Sequence, residues 1–407
     1  MHPFRYDRAQ TVQGALESIG KGKNAAFLAG GTSQIDLMKE DVHRPDALID
    51  IKRVPLSVIM ALPEGGLRLG ANATNTAVAY NEQVQKRYTG LAEAILAGAS
   101  PQIRNMASTG GNLLQRTRCP YFRDTAMACN KREPGTGCSA LGGINRVHAV
   151  LGANEKCVAT HPSDMCVALA ALDATVQVQK PDGGTRTIRF KDFHRLPGDA
   201  PQKDTVLEPG ELITSVDLPA FAGRSHYLKV RERASYAFAL VSVAVALEMD
   251  GDTIKTARVA LGSVAHKPWV VEDAGKRLQG KKPDAALFRS FAEEAFKDAK
   301  PLEHNAFKIP LGKNTLVRAL MEMSGLMPLP GEAATRIVLA GHPEDVRTAM
   351  AELATSRRYI VSAACVSAVP ESPLGSLPVQ VGVSYAAEVT DRSGSDALLV
   401  LPGSGVT

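Results

Sequence analysis

The chain has 407 residues, of which 44% are hydrophobic and 22% charged, enough material for two or three domains around a large buried core. Its formal net charge of +5 is slight and no basic block is interleaved with aromatic residues, so nucleic acid is set aside as a partner. No apolar run approaches the roughly 20 residues that span a bilayer. The opening run Met1-His-Pro-Phe-Arg-Tyr-Asp7 lacks a charged stretch followed by an apolar one, so cytoplasmic synthesis without a signal peptide is expected.

Along the chain, Val12, Ala15, Leu16 and Ile19 recur at helical spacing, and Ala25-Ala-Phe-Leu28 reads as a short strand ending in Ala-Gly-Gly. A helix then starts at a Thr32-Ser33 cap and carries Ile35, Leu37 and Met38, before a strand at Ala47–Ile51, so the order predicts a βαβ unit. Strands at Ser57–Ala61 and Leu67–Leu69 flank Pro-Glu-Gly-Gly, a hairpin signal. Helices follow near Ala77–Val84, Gly90–Leu96 and Ser163–Leu172, then a hairpin of Thr175–Gln179 and Thr185–Phe190 around Asp182-Gly-Gly, and a strand at Glu211–Leu218. Pro219-Ala-Phe-Ala-Gly-Arg224 reads as a domain junction. Beyond it, a hairpin of Val241–Glu248 and Thr253–Gly262 and helices at about 268–278, 285–297 and 312–323 give a smaller α+β domain. The expected division is 1–220, 221–324 and 325–407.

The last segment differs in kind. Residues 325–407 contain no lysine, against twenty before them, and are rich in Ala, Val, Ser, Pro and Gly. Ala333–Leu339 and Val346–Leu353 read as patches able to order, whereas the stretch with Ser393-Gly-Ser395 and Pro402-Gly403 reads as loose. An extension, a disordered tail or the product of a shifted reading frame would each fit this composition.

Two glycine loops carry the first chemical signal. Leu28-Ala-Gly-Gly-Thr-Ser-Gln34 lies where a strand hands over to a helix, a place where glycine lets backbone N–H groups approach a pyrophosphate. It is neither a Walker loop nor a GxGxxG fingerprint, and alone it is equally well an ordinary turn. Ser108-Thr-Gly-Gly-Asn112 repeats the chemistry about eighty residues later, which points to an extended dinucleotide. His161-Pro-Ser-Asp164 adds a carboxylate at a helix start, where an N-cap is the plainer role.

The second signal is sulfur. Four of the six cysteines, Cys119, Cys129, Cys138 and Cys157, crowd one segment with nine, eight and eighteen residues between them. Six cysteines are too few for a disulfide scaffold in a chain this long, and close pairs of the kind structural zinc uses are missing. Four thiolates with glycines at Pro134-Gly-Thr-Gly137 and Leu141-Gly-Gly143 suit a [4Fe–4S] cube, one cysteine per iron. On spacing alone zinc, disulfides and free thiols stay open. Lys131, Arg132 and Arg146 would offset cluster charge or lie solvated. Cys166, in an apolar helix, reads as a buried thiol, and Cys365 lies in the tail.

The runs Phe27-Leu-Ala-Gly-Gly-Thr-Ser33, Leu69-Gly-Ala-Asn-Ala-Thr74, Gln102-Ile-Arg-Asn-Met-Ala-Ser-Thr-Gly-Gly-Asn-Leu113 and His161-Pro-Ser-Asp164 occur in the order seen in FAD-binding subunits of the xanthine dehydrogenase, or molybdenum hydroxylase, family. Glu211-Leu-Ile213 and Ala260-Leu-Gly-Ser-Val-Ala-His-Lys-Pro-Trp269 match as well. The resemblance covers about residues 1–323, and the FAD subunits of bacterial periplasmic aldehyde oxidoreductases share a similar cysteine loop. It implies an α+β fold: a vanillyl-alcohol-oxidase-type (PCMH-type) FAD-binding domain, then the small carbon monoxide dehydrogenase flavoprotein C-terminal domain.

On that resemblance, Phe27, Leu28, Ala29, Gly30, Gly31, Thr32, Ser33 and Gln34, with Thr109, Gly110, Gly111 and Asn112, line FAD. Asp164 bonds it, and Ile213 and Lys229 approach from later strands, although Lys229 taken by itself reads as part of a solvated strand face. The same resemblance favours Cys119, Cys129, Cys138 and Cys157 as ligands of one [4Fe–4S] cluster. It further implies an electron-transfer subunit that takes electrons from [2Fe–2S] clusters of a small partner subunit, reduced by a molybdenum-cofactor large subunit, and passes them through FAD to an acceptor. No catalytic residue for substrate oxidation is expected here. Export to the periplasm would then depend on a signal-bearing partner. Rival readings are a stand-alone flavin-dependent reductase and a zinc-binding interaction module.

Overall fold

The computed structural model describes residues 1–327 and three strands beyond them, at 335–341, 359–365 and 396–400. Two compact units divide the chain, Met1–Leu320 and Met321–Thr407.

The first unit begins with β1 (Arg5–Arg8), α1 (Val12–Ile19), β2 (Ala25–Leu28), α2 (Gln34–Lys39) and β3 (Ala47–Asp50). The three strands form a parallel sheet of order β1-β3-β2. The central β3 is buried along its whole length, as a strand covered on both faces must be. Thr11 caps α1 by accepting from the Gly14 N–H, and Ala15, Leu16 and Ile19 bury one helix face on the sheet. The apolar pattern locates β2, α2 and β3 but not β1: Arg5-Tyr-Asp-Arg8 is a polar edge strand with no apolar alternation.

Next come β4 (Ile59–Ala61), β5 (Leu67–Gly70) and a run of short helices: α3 (Asn75–Ala79), α4 (Glu82–Arg87), α5 (Thr89–Ala97), α6 (Pro101–Met106), α7 (Thr109–Leu113), α8 (Pro120–Arg123) and α9 (Asp164–Ala171). The single helix expected over Ala77–Val84 is two. Asn81 breaks it by turning extended and accepting the N–H groups of Gln83 and Val84 as the cap of α4. The strands β6 (Thr175–Gln179) and β7 (Thr185–Arg189), the turn α10 (Phe190–Phe193) and β8 (Leu212–Leu218) complete a five-stranded sheet of order β4-β5-β8-β6-β7. Both expected hairpins are present in it. Helix α9 is buried on nearly every side and sits in a large apolar cluster.

Strands β9 (Arg224–Val230), β10 (Val241–Asp250), β11 (Thr253–Gly262) and β12 (Trp269–Val270) make an antiparallel sheet in the order β12-β11-β10-β9. Helices α11 (Ala274–Leu278), α12 (Ala285–Ala295) and α13 (Lys308–Met323) follow. The helix expected from 268 is cut short because Trp269 and Val270 pair with Leu261 and Ala260 instead. Asp284 caps α12 through the Leu287 N–H. None of the helices among the described residues is long and apolar enough to cross a membrane.

In the second unit β13 (Thr335–Gly341), β14 (Tyr359–Cys365) and β15 (Asp396–Val400) pair in parallel in the order β14-β13-β15. The patch expected at Ala333–Leu339 overlaps β13. Val346–Leu353, Ser393-Gly-Ser395 and Pro402-Gly403 lie outside the described residues.

Candidate cofactor sites

A cavity of about 930 Å³ opens in the first unit, walled by the loop after β2, the α6–α7 segment, the start of α9, β8 and the loop from β9 to β10. That volume is at the upper end of small-molecule sites. Of the residues expected on cofactor, Phe27, Ala29, Gly30, Gly31, Thr32, Ser33, Gln34, Gly110, Gly111, Asn112, Asp164, Ile213 and Lys229 line it. Leu28 and Thr109 do not. Leu28 ends β2 in a small core with Met38 and Leu48, and its carbonyl accepts the Ile51 N–H at 3.0 Å. Thr109 is fully buried, with its hydroxyl and its N–H both donated to the Ala73 carbonyl.

The two glycine loops meet. A Cβ on Gly30 would run into the carbonyl oxygen of Met106, so only glycine permits this approach. Gly31 has φ +74°, the left-handed region. No acceptor among the described residues takes the N–H groups of Gly30 to Gln34, and Ser33 makes no side-chain cap. These N–H groups form a concave donor set for an anion. In the second loop, Ser108 accepts the Gly111 N–H at 3.2 Å and the Gly110 N–H goes to Ala71 O at 2.8 Å, which presents the bare face of Gly111 to the cavity. Asn112 Oδ1 accepts from the Ser163 hydroxyl at 2.6 Å, tying this loop to the cap of α9.

Ser163, and not Asp164, caps α9. Asp164 is left to accept from Lys229 Nζ at 2.8 Å and from the Tyr227 hydroxyl. Lys229 is buried, so the solvated strand face read from its neighbours is corrected. Pairing with α9 and with Ala97 O (3.1 Å) draws it under the cavity wall. Burial, followed by the Asp164 charge, pushes the Tyr227 hydroxyl well above its ordinary value, so it stays a donor.

Residues that the sequence did not single out complete the lining. Asn75 Oδ1, Arg104 Nε and Arg118 Nε are buried there without hydrogen-bond partners. Such orphans are costly unless a ligand meets them. Exposed Tyr236 and Phe238 stand on the β9–β10 loop at the mouth, with the Arg118 guanidinium 5.1 Å from the Phe238 ring centre. No spacing rule marks an asparagine after a strand, or aromatics in a loop, as a ligand wall. Unclaimed N–H groups, the glycine contact and orphaned polar atoms together fit a dinucleotide such as FAD.

The cysteine segment wraps beside this cavity. Cys119, Cys129 and Cys157 are buried, Cys138 is half-buried, and all four are free thiols. Cys129 and Cys138 face each other across an isolated bridge. Cys119, Cys129 and Cys157 share a small core with Leu37 and Phe122. Burial pushes the Cys119 thiol up to about 12, against the Phe122 and Tyr121 N–H groups that favour its anion, and the Cys157 thiol up to about 11. Buried thiols this weakly acidic become thiolates only when a metal claims them. The backbone amides, His148 Nε2 at 3.1 Å from Cys119 Sγ, and the nearby Lys131 charge form a shell suited to a thiolate cluster.

Size separates the metals. A tetrathiolate zinc site holds sulfurs about 3.8 Å apart, from Zn–S bonds of about 2.3 Å. Among the described residues no three of the four sulfurs come within 4.8 Å of one another, so they do not form a tetrathiolate zinc site as placed. Lys131 is buried on Pro201 O, His266 and Asp204, and Arg132 donates to the carbonyls of Tyr121 and Phe122, so both brace the loop. Arg146 reaches outward to Glu232. Asp36 in α2 accepts from Arg118 (2.9 Å) and Arg123 (2.8 Å), which flank Cys119.

The tight donor group is elsewhere: His161, Cys166 and His194, all buried. Their ring nitrogens His161 Nε2 and His194 Nδ1 are buried without hydrogen-bond partners among the described residues, so the three could form a small metal-ligand cluster. Ser163 N–H donates to His161 Nδ1 at 3.3 Å, and His194 Nε2 donates to Leu113 O at 2.8 Å. The two rings pack edge to face with centroids 4.4 Å apart, beside the buried Cys166 thiol.

The fold and the cavity define a flavin-binding protein of the PCMH type. Residues 2–221 match the model of the FAD binding domain in molybdopterin dehydrogenase, and residues 226–323 that of the CO dehydrogenase flavoprotein C-terminal domain. The chain belongs to the FAD-binding subunits of the molybdenum hydroxylase family, as an oxidoreductase flavoprotein. It is 49% identical over 324 residues to the aldehyde oxidoreductase FAD-binding subunit PaoB of Escherichia coli, covering 79% of this chain and 98% of that one. The glyceraldehyde dehydrogenase medium chain of Sulfolobus acidocaldarius is 27% identical over 304 residues, 74% of this chain and 90% of that one. Among solved structures, carbon monoxide dehydrogenase from Hydrogenophaga pseudoflava superimposes with a TM-score of 0.62 at 26% identity, over 79% of this chain and 98% of that one. Quinoline 2-oxidoreductase from Pseudomonas putida shares the fold, with a TM-score of 0.61 at 23% identity over 79% and 97%.

Proposed function

We propose that this flavoprotein subunit holds FAD in the 930 Å³ cavity and a [4Fe–4S] cluster on Cys119, Cys129, Cys138 and Cys157. Residues 1–220 would form the FAD-binding part, 221–324 the flanking C-terminal part, and 325–407 an extension. Bound FAD would exchange single electrons with iron–sulfur carriers and deliver a pair to an acceptor. The chain's own work is to seat that cofactor. Gly30 to Gln34 offer N–H groups to its phosphates, Gly111 lets it approach closely, and the Asp164–Lys229 pair supplies fixed polar contacts.

The observation that carries this reading is that Cys119 lines the same cavity as Gly111 and Asp164. One wall would therefore serve both redox centres. The relatives are named as subunits or medium chains, which supports assembly with a molybdenum-cofactor large subunit and a [2Fe–2S] small subunit. A signal on one of those partners would decide any export. Purification of the full chain tests this. About four irons per chain with flavin absorbance is expected, whereas a colourless protein containing zinc would favour an interaction module. Flavin without iron would favour a stand-alone reductase. Co-purification from the native host should recover both partner subunits.

A further inference from the structure

We infer that His148 donates a hydrogen bond from Nε2–H to the Cys119 thiolate and so raises the reduction potential of the cluster, an inference that rests on the cluster reading above.

His148 is almost wholly buried, and its Nε2 lies 3.1 Å from Cys119 Sγ. A metal-bound thiolate has no proton to give, so the imidazole must supply the one between them. That fixes the tautomer with Nε2–H toward sulfur and Nδ1 bare, and Nδ1 has no partner in the structure. Among the described residues the only hydrogen bond of this ring is the one to sulfur, and the Asn145 carbonyl lies close enough to act on the imidazole as well.

The backbone is held instead. The His148 carbonyl accepts from Lys308 Nζ at 3.0 Å and Asn305 Nδ2 at 3.2 Å, and the His148 N–H donates to Asn145 O at 3.1 Å. Lys308 also donates to the carbonyls of Val147 and Ser263. These contacts pin the segment that carries the imidazole to Cys119.

Reduction adds one electron and no proton to a thiolate-ligated cube, so every N–H aimed at its sulfurs favours the reduced, more negative form. His148 is the group hydrogen-bonded to Cys119 Sγ, while the Tyr121 and Phe122 N–H groups lie near enough to favour the Cys119 anion and the Ala159 N–H the Cys157 anion. Both Cys119 and His148 line the cofactor cavity. The extra donor thus acts on the one proposed ligand that also lines the cavity, where it would tune the driving force between a bound cluster and FAD.

The test is a potentiometric titration of the full-length protein with dithionite, followed by electron paramagnetic resonance of the reduced cluster. Wild type is compared with His148→Phe, which keeps a ring but no donor, and His148→Gln, which restores an N–H. Iron and flavin are counted first. The expected result is full iron in all three, a midpoint shifted to more negative potential in His148→Phe, and recovery toward wild type in His148→Gln. Equal midpoints in wild type and His148→Phe would overturn the inference while leaving the cluster in place. Wild type without iron would overturn the cluster reading and this inference with it. If His148→Phe loses its iron, His148→Gln decides: a wild-type midpoint supports donation, and loss of iron there too means that His148 only packs.

Discussion

Single atoms decide much of this molecule. Asp50 ends the buried strand β3, where burial alone would raise its pKa. The Tyr6 hydroxyl, the Lys52 N–H at 2.9 Å and the charges of Lys52 and Arg8 outweigh burial and hold its carboxyl below the usual range. A carboxylate with a depressed folded pKa stabilises the fold above its unfolded pKa, about 3.9, and that stability is lost as pH falls through the lower folded value. Asp50→Asn should therefore cost about 1.5–3 kcal/mol at pH 7. Urea melts of both proteins should converge once the pH drops below the carboxylate range; a constant difference would refute the assignment. Cys138→Ser should lower iron content while most FAD stays bound, because Cys138 is not on the cavity wall. Equal loss of both would make the segment a single clasp. Gly30→Val should abolish FAD binding and lower thermal stability together, since the side chain would push the Met106 carbonyl aside.

Elements show what was legible in the sequence. Periodicity located α1, β2, β3, both early hairpins and α9, because each has one buried face or is buried throughout. It failed on β1 and on the split between α3 and α4, where edge pairing and a capping asparagine decide matters that apolar spacing does not report. The glycine loops and cysteines stood out in the sequence because their chemistry restricts residue type, and the structure brings Gly30, Gly111 and Cys119 to one cavity. Asn75, Arg104 and His148 did not stand out, since an ordinary asparagine, arginine or histidine acquires its role only from what surrounds it. Thr109 misled for the opposite reason: it sits in a cofactor loop, yet its hydroxyl serves the backbone. Helix α13 offers a test at this scale. Lys308, on its first turn, is pushed by burial down to about 7 and is embraced by three carbonyls of the neighbouring loops. Lys308→Met should destabilise the protein by about 2–4 kcal/mol by leaving those acceptors unpaired. Limited proteolysis should then cut within 143–148 before any other site.

For the whole molecule, the family match ends at residue 323 and the first compact unit at Leu320. The lack of lysine beyond residue 324 marks the same division in composition, and β13, β14 and β15 pair with one another within the second unit. A chain ending at Ser324 should keep flavin and iron at the full chain's stoichiometry; loss of either would assign the tail a part in assembly.

Asp36 gives the two cofactor seats a common abutment. It lies just past the first glycine loop, and it pairs with Arg118 and Arg123, which stand one residue before and four residues after Cys119 in the chain. If the proposed cluster and FAD both load against this ion-pair network, each would bind more tightly with the other present, and linkage would make the dependence mutual. Protein matured without iron should release FAD faster than protein with its cluster, and protein stripped of FAD should lose iron faster to a chelator. Both differences should vanish in Asp36→Ala. The order in which the cofactors are inserted during maturation would then be a property of this one carboxylate.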